Sequence, residues 1–258
     1  MVNSKRGQTT LFIIIAVIIV AVALLAFVIL PSSKPIDEPI QEITDPQAYI
    51  TDCINLELEP IVETISEQGG YLKVPELNLT YNGKTFGYLC YINMNNKPCY
   101  NQQPLLKRYV EEQLTEEVRR EDIVRNCIDN FKKNAEKKGW EISTCPIPSF
   151  SIILTEGKVN VPTNCEIILS KGEDYKRFDN LEIYLDWPLY DFIEVSRDIV
   201  WDEIHYSDFE HLAYMILHPE FTIDKFRAPE SKVYTIRKKI SGDMFIFAVR
   251  NYVQSPGI

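Results

Sequence analysis

Residues 11–30, LFIIIAVIIVAVALLAFVIL, contain no polar side chain. Four of the twenty are alanine and the other sixteen are Leu, Ile, Val or Phe. A helix of that length spans about 30 Å, the thickness of a bilayer's hydrocarbon core. At about −0.3 to −0.6 kcal/mol per large apolar residue, the sixteen contribute roughly −5 to −10 kcal/mol towards insertion. A core helix of a water-soluble domain needs a polar outer face, and this run has none. The reading is a single N-terminal transmembrane helix. A removable secretory signal fits less well, because its apolar region is shorter and Ala21-Val22-Ala23 falls in mid-membrane.

The flanks set the orientation. Lys5 and Arg6 precede the run with no acid beside them, whereas Asp37 and Glu38 follow it. Positive charge stays inside. Residues 1–10 are therefore expected as a cytoplasmic stub, with residues 31–258 on the far side of the lipid. That outer part holds 25 of the 27 basic residues and all 37 acidic ones, a net charge of −12. Such a charge repels phosphate backbones, so nucleic acid is not an expected partner. The ten residues before the run are too few for a signalling domain, which argues against a transmembrane sensor.

Lys5-Arg6-Gly7-Gln8-Thr9, leading directly into the apolar run, resembles the class III signal of archaeal type IV pilin-like proteins. The resemblance implies cleavage between Gly7 and Gln8, with the apolar helix retained. An ordinary signal anchor behind a basic stub reads from the same residues. Two departures separate the chain from filament subunits. Pro31, Pro35, Pro39 and Pro46 interrupt any helix continuing out of the membrane. Phe12 stands where many pilins carry a glutamate. A tethered head is expected rather than a polymerising subunit. The whole chain also resembles uncharacterised surface proteins of small-genome archaea, in its KRGQ start, Cys53 with Gly69-Gly70-Tyr71, Asn126-Cys127 and the Phe247 to Arg250 strand. No established activity comes with that resemblance.

Residues 31–44, rich in Pro and acids, read as a semi-rigid spacer. Asp45-Pro46 is a helix start, with Asp as the cap and Pro in the first turn. Ile50, Ile54, Leu58, Ile61 and Ile65 share one face of that helix, Pro60 is expected to kink it, and Gly69-Gly70 to end it. Residues 71–103 read as short strands, with a hairpin at Tyr81-Asn82-Gly83-Lys84. Residues 104–138 read as helical, with a break near Arg119 to Asp122. Beyond Trp140 the pattern predicts strands at 149–155, 158–161, 165–169 and 181–185, then a helix opened by Pro188. Ser207-Asp208-Phe209-Glu210 matches a capping box before a short helix with the apolar face Leu212, Ala213, Ile216 and Leu217. Residues 233–236 and 244–249 read as closing strands. Segregated helices and strands give the class α+β for residues 45–258, as one domain or as halves 45–139 and 140–258.

Cys53, Cys90, Cys99, Cys127, Cys145 and Cys165 all lie beyond the apolar run. An even count on an oxidising side favours disulfides, and six cysteines allow fifteen pairings. Cys90–Cys99 would clip a hairpin, Cys53–Cys127 would staple the two long helices, and Cys145–Cys165 would close the strands after residue 140. Free buried thiols are the alternative. No C-x-x-C occurs, which removes zinc-ribbon and thioredoxin readings. Asn78-Leu79-Thr80 is a glycosylation sequon.

Motifs for chemistry are scarce. There is no H-E-x-x-H, G-x-S-x-G, Walker loop or G-x-G-x-x-G. His205, His211 and His218 cluster among Glu203, Asp208, Glu210 and Glu220. His211 and His218 lie two turns, about 10 Å, apart on a helix, too far to share one ion. Trp187, beside Asp186, reads as a buried helix-start tryptophan more readily than as a sugar contact. No cofactor, metal or enzymatic activity is expected. The leading expectation is a membrane-anchored structural or interaction protein facing unknown surface partners. The competing one is a tethered hydrolase with a pocket built from Glu203, Asp208, His205 or His211.

Overall fold

A computed structural model describes residues 45–251 other than 95, 96 and 229. The expected processing site at Gly7 and Gln8, the apolar run 11–30 and the spacer 31–44 lie outside the described residues. Among the described residues no helix is long and apolar enough to cross a membrane.

The first helix, α1 (Pro46–Glu67), starts as the sequence dictates: Asp45 accepts from the Ala48 amide at 3.2 Å, with Pro in the first turn. Ile50, Ile54, Leu58, Val62 and Ile65 are buried on one face. Pro60 sits inside the continuous helix on its exposed side. Water can therefore satisfy the carbonyl that proline leaves unbonded. Gly69 follows with φ +75°, and a Cβ there would lie 3.2 Å from the Ile246 carbonyl oxygen. Only glycine combines that backbone with that approach.

Strands β1 (Asn78–Tyr81), β2 (Lys84–Tyr91) and β3 (Tyr100–Asn101) follow, with Asn82 and Gly83 at positive φ in the hairpin turn. Helices α2 (Leu106–Arg120) and α3 (Ile123–Lys137) are separated at Asp122, whose φ is +52°. Val110, Leu114 and Val118 of α2, and Cys127, Phe131 and Ala135 of α3, are buried. Next come β4 (Glu141–Thr144), β5 (Ser149–Phe150), β6 (Ile153–Thr155), β7 (Lys158–Asn164), β8 (Ile167–Lys171), β9 (Asp174–Phe178) and β10 (Leu181–Asp186). Helices α4 (Leu189–Tyr206) and α5 (His211–Leu217) lead to β11 (Phe221–Ala228), β12 (Ser231–Lys238) and β13 (Met244–Arg250).

The class is α+β. The largest sheet has the order β1-β2-β13-β12-β11, with β3 also on β2. Its β2–β13 pairing is parallel and the rest antiparallel. It thus takes strands from both sides of residue 140, within one compact unit that holds all the described residues. Two smaller sheets, β10-β7-β5 with β6 on β7 and β4-β8-β9, complete the strands. The main core lies on the face of β12 and β13 that presents Tyr234, Ile236, Phe245 and Phe247, against α1 and α4. A second cluster of Phe86, Tyr88, Val233, Ile246 and Ala248 fills the opposite face.

Three disulfides join Cys53–Cys127, Cys90–Cys99 and Cys145–Cys165. They tie α1 to α3, clip β2 to the segment before β3, and join the residues just after β4 to those just before β8. Their sequence separations are 74, 9 and 20 residues. Loop-closure entropy then ranks their contributions at about 4.5, 2.6 and 3.3 kcal/mol in that order. Paired Cys→Ala variants should follow this ranking in urea unfolding, with C53A/C127A the most destabilised.

Candidate functional site

Helix α4 and strands β11 and β12 carry the most concentrated polar chemistry among the described residues. Glu203 lies on the inward face of α4 with a fully buried side chain. Period-two alternation in β12 places Lys232 and Tyr234 on the core-facing side of the sheet. Across the ladder Lys225 of β11 stands opposite Tyr234. The chain between the two helices turns at Ser207, whose φ is +64°, and delivers Asp208 to the same point.

Lys232 Nζ donates to both Glu203 carboxylate oxygens at 2.8 and 2.9 Å, to the Ser207 carbonyl at 2.7 Å and to Asp208 Oδ1 at 2.8 Å. Lys225 Nζ donates to both Asp208 oxygens at 3.0 Å and to the Phe209 carbonyl at 2.9 Å. The Tyr234 hydroxyl donates to Glu203 Oε1. Phe209 and Phe247 pack on the Tyr234 ring, edge-on and stacked, and all three are buried. Burial pushes the Glu203 carboxyl up, against the Lys232 and Tyr234 donors. Burial also acts on Asp208, but hydrogen bonds from Lys232 and Lys225 outweigh it and hold that carboxyl below its ordinary value. The Tyr234 phenol is pushed up by burial and by the adjacent Glu203 carboxylate.

The expected capping box is not formed. Asp208 is engaged by the two lysines, Ser207 is the C-cap of α4, and α5 begins at His211 with no side-chain cap bond from Glu210. The apolar face expected on α5 points to solvent: Leu212, Ile216 and Leu217 are 61, 79 and 76% exposed. The helix is held instead by two amphipathic side chains. Tyr214 packs on Phe209 and donates to Asp198 at 3.1 Å, and Met215 Sδ accepts the Ile223 amide at 3.1 Å.

The three histidines are not brought to one point. His205 stacks on Trp201, with ring centroids 4.2 Å apart, and its Nδ1 lies 2.7 Å from the Trp201 carbonyl oxygen. His218 stacks on Tyr214 at 4.3 Å. His211 Nδ1 is buried without a hydrogen-bond partner. Among the described residues no group of three or more His, Cys, Asp or Glu could hold a metal ion. A cleft of about 460 Å³ opens between α2 and α4, over Leu89, Leu106, Ile193 and Val200 with Arg108 and Arg197 at its rim. None of Glu203, Asp208, His205 or His211 lines it. Its rim arginines are already paired, Arg108 with Glu112 and Arg197 with Glu194.

Trp187 is buried at the start of α4. Asn78 is exposed on β1, at the sheet edge, and its Nδ2 donates to the Pro75 and Glu76 carbonyls at 2.7 and 3.2 Å. One of those bonds must open before that nitrogen can carry a glycan. No protein-family model, curated protein or solved structure matches the chain.

Removing one partner of a buried ion pair strands the other charge. Lys232→Met is expected to destabilise the protein by about 3–5 kcal/mol. The stranded Glu203 carboxyl then has a folded-state pKa further above its unfolded value of about 4.3. Stability tied to that proton is present below about pH 4.3 and lost as pH rises through the folded value. The variant's deficit against Asp208→Ala, which keeps the Lys232–Glu203 pair, should therefore grow with pH in urea titrations.

Proposed function

We propose that the chain is a single-pass membrane protein. Residues 11–30 anchor it in lipid, and its α+β head faces away from the cytosol in a structural or interaction role on a cell surface. The observation that carries this reading is the pairing of all six cysteines in three disulfides within the head. Such bonds persist in oxidising compartments and are rare in a reducing cytosol. The charge-free run and its basic stub support the topology from the sequence side. The outward apolar stripe of α5 supports an interaction role, since exposed contiguous apolar surface is uncommon on isolated domains. A hydrolase reading finds less support, because Glu203 and Asp208 are engaged by lysines and stand outside the α2–α4 cleft.

The N-terminus is proposed to be processed between Gly7 and Gln8, in the manner of the pilin-like signal. Protease added to intact cells should release fragments of residues 45–258, and mass spectrometry of the membrane-retained piece should find Gln8 at its end. A head that stays protected in intact cells, yet is cut after lysis, rejects the topology. A retained Met1 or Val2 end rejects the processing alone.

A further inference from the structure

Two lysines and two carboxylates packed against aromatic rings form an expensive arrangement. Their desolvation cost rivals their attraction, so a buried ion cluster is a weak stabiliser. A reaction that removes two of those charges and releases water relieves that cost. The described coordinates bring together the groups such a reaction needs.

We propose that the Lys232 amine and the Asp208 carboxyl condense spontaneously into an isopeptide bond, with the buried Glu203 carboxylate shuttling the protons. Lys232 Nζ lies 2.8 Å from Asp208 Oδ1, so the nucleophile already touches the carboxyl group it attacks. Glu203 presents both oxygens to the same Nζ at 2.8 and 2.9 Å. Lys225 places a cation 3.0 Å from each Asp208 oxygen, where negative charge develops as Cγ becomes tetrahedral. Asp208 is the acceptor rather than Glu203 because its side chain is 30% exposed and has a path for the departing water, whereas Glu203 is sealed.

Glu203 passes one proton from the Lys232 ammonium to the Asp208 carboxylate, and the free amine attacks Cγ of the neutral carboxyl. The Nζ–Cγ bond forms with Lys225 stabilising the oxyanion. A second proton leaves the nitrogen through Glu203. The two protons reach one Asp208 oxygen, the Cγ–O bond breaks and water departs. An ammonium and a carboxylate become an amide and one water, with no oxidant or external proton. The carboxyl pushed up by burial, Glu203, is the better proton carrier of the two, and the one held low by the lysines, Asp208, is the better charge partner before reaction.

The test uses the full-length protein, extracted in detergent, reduced and denatured. Its intact mass is expected one water below the value calculated for the chain from its own N-terminal residue, Met1 or Gln8. Tryptic digestion should leave Lys232 uncut, within a branched peptide whose fragments join Lys232 to Asp208. Lys232→Arg and Asp208→Ala should restore the full mass. Glu203→Gln keeps the shape and an acceptor for Tyr234 but removes the base. In pulse-labelled protein its link should form about 10²–10⁴-fold more slowly. Correct Cys53–Cys127 pairing in each variant certifies folding. Separate linear Lys232 and Asp208 peptides from folded wild-type protein overturn the proposal, as does a branch from Lys232 to Glu203. Linking at the wild-type rate in Glu203→Gln overturns the role given to Glu203.

Discussion

The parallel pairing of β2 with β13 is the constraint around which the α+β domain is built. It joins residues 84–91 to residues 244–250, so the chain must travel through four helices and ten further strands before the sheet closes. Strand β13 is buried along both faces, from Phe245 to Val249. A strand buried on both sides needs cover on both sides. Helices α1 and α4 supply one layer, and the Leu77, Leu79 and Tyr81 stretch supplies the other. The close approaches follow from this crowding. A Cβ on Gly87 of β2 would stand 2.4 Å from the Tyr71 ring, and Gly69 turns directly over Ile246. The Gly69-Gly70-Tyr71 run therefore serves two ends: it stops α1 and seals the sheet.

Much of this was legible in the sequence where one local rule dominates. The Asp45 cap, the Asn82-Gly83 hairpin and the break between α2 and α3 are backbone matters and fall where the residues place them. The disulfides follow the arrangement that staples the long helices and clips the hairpin, because each cysteine sits on an element whose neighbour was already implied. Strands β4, β9 and β11 were not legible. Strand β9 has no fully buried residue and is held by the ladder to β8, with only Phe178 packing against the core. In β11 the inward series Phe221, Ile223, Lys225 ends on a lysine, which breaks the apolar alternation a half-buried strand should show.

The same lysine explains why the polar cluster was missed. Glu203 and Asp208 stood out as acids near histidines, and the histidines turn elsewhere, onto Trp201 and Tyr214. Their real partners, Lys225 and Lys232, lie 17 and 24 residues from Asp208 and are joined to it only by the fold. The usable signal was parity. Lys232 and Tyr234 share a face of β12, and Lys225 shares one with Ile223, so each charge had to enter the core with a counter-charge. Helix α5 misled for the complementary reason. Its packed side is built from a tyrosine and a methionine, whose polar ends find Asp198 and the Ile223 amide, and its aliphatic side is left to solvent.

The distribution of covalent constraints gives the lysine–carboxylate cluster its place in the whole. Every disulfide lies at or before residue 165. Helices α4 and α5 and strands β11 to β13, which contribute half of the principal sheet, carry none. A Lys232–Asp208 amide would close a loop of 24 residues within that unlinked part. By the chain-entropy relation used for disulfides it would restrict the unfolded chain by about 3.5 kcal/mol. It would also lock the turn after α4 onto β12, the strand that lies beside β13. An amide is indifferent to thiol reagents and reductants. A domain exposed outside a cell would thus hold its cysteine-free C-terminal part by a bond that redox conditions cannot open, while the disulfides secure the part up to residue 165.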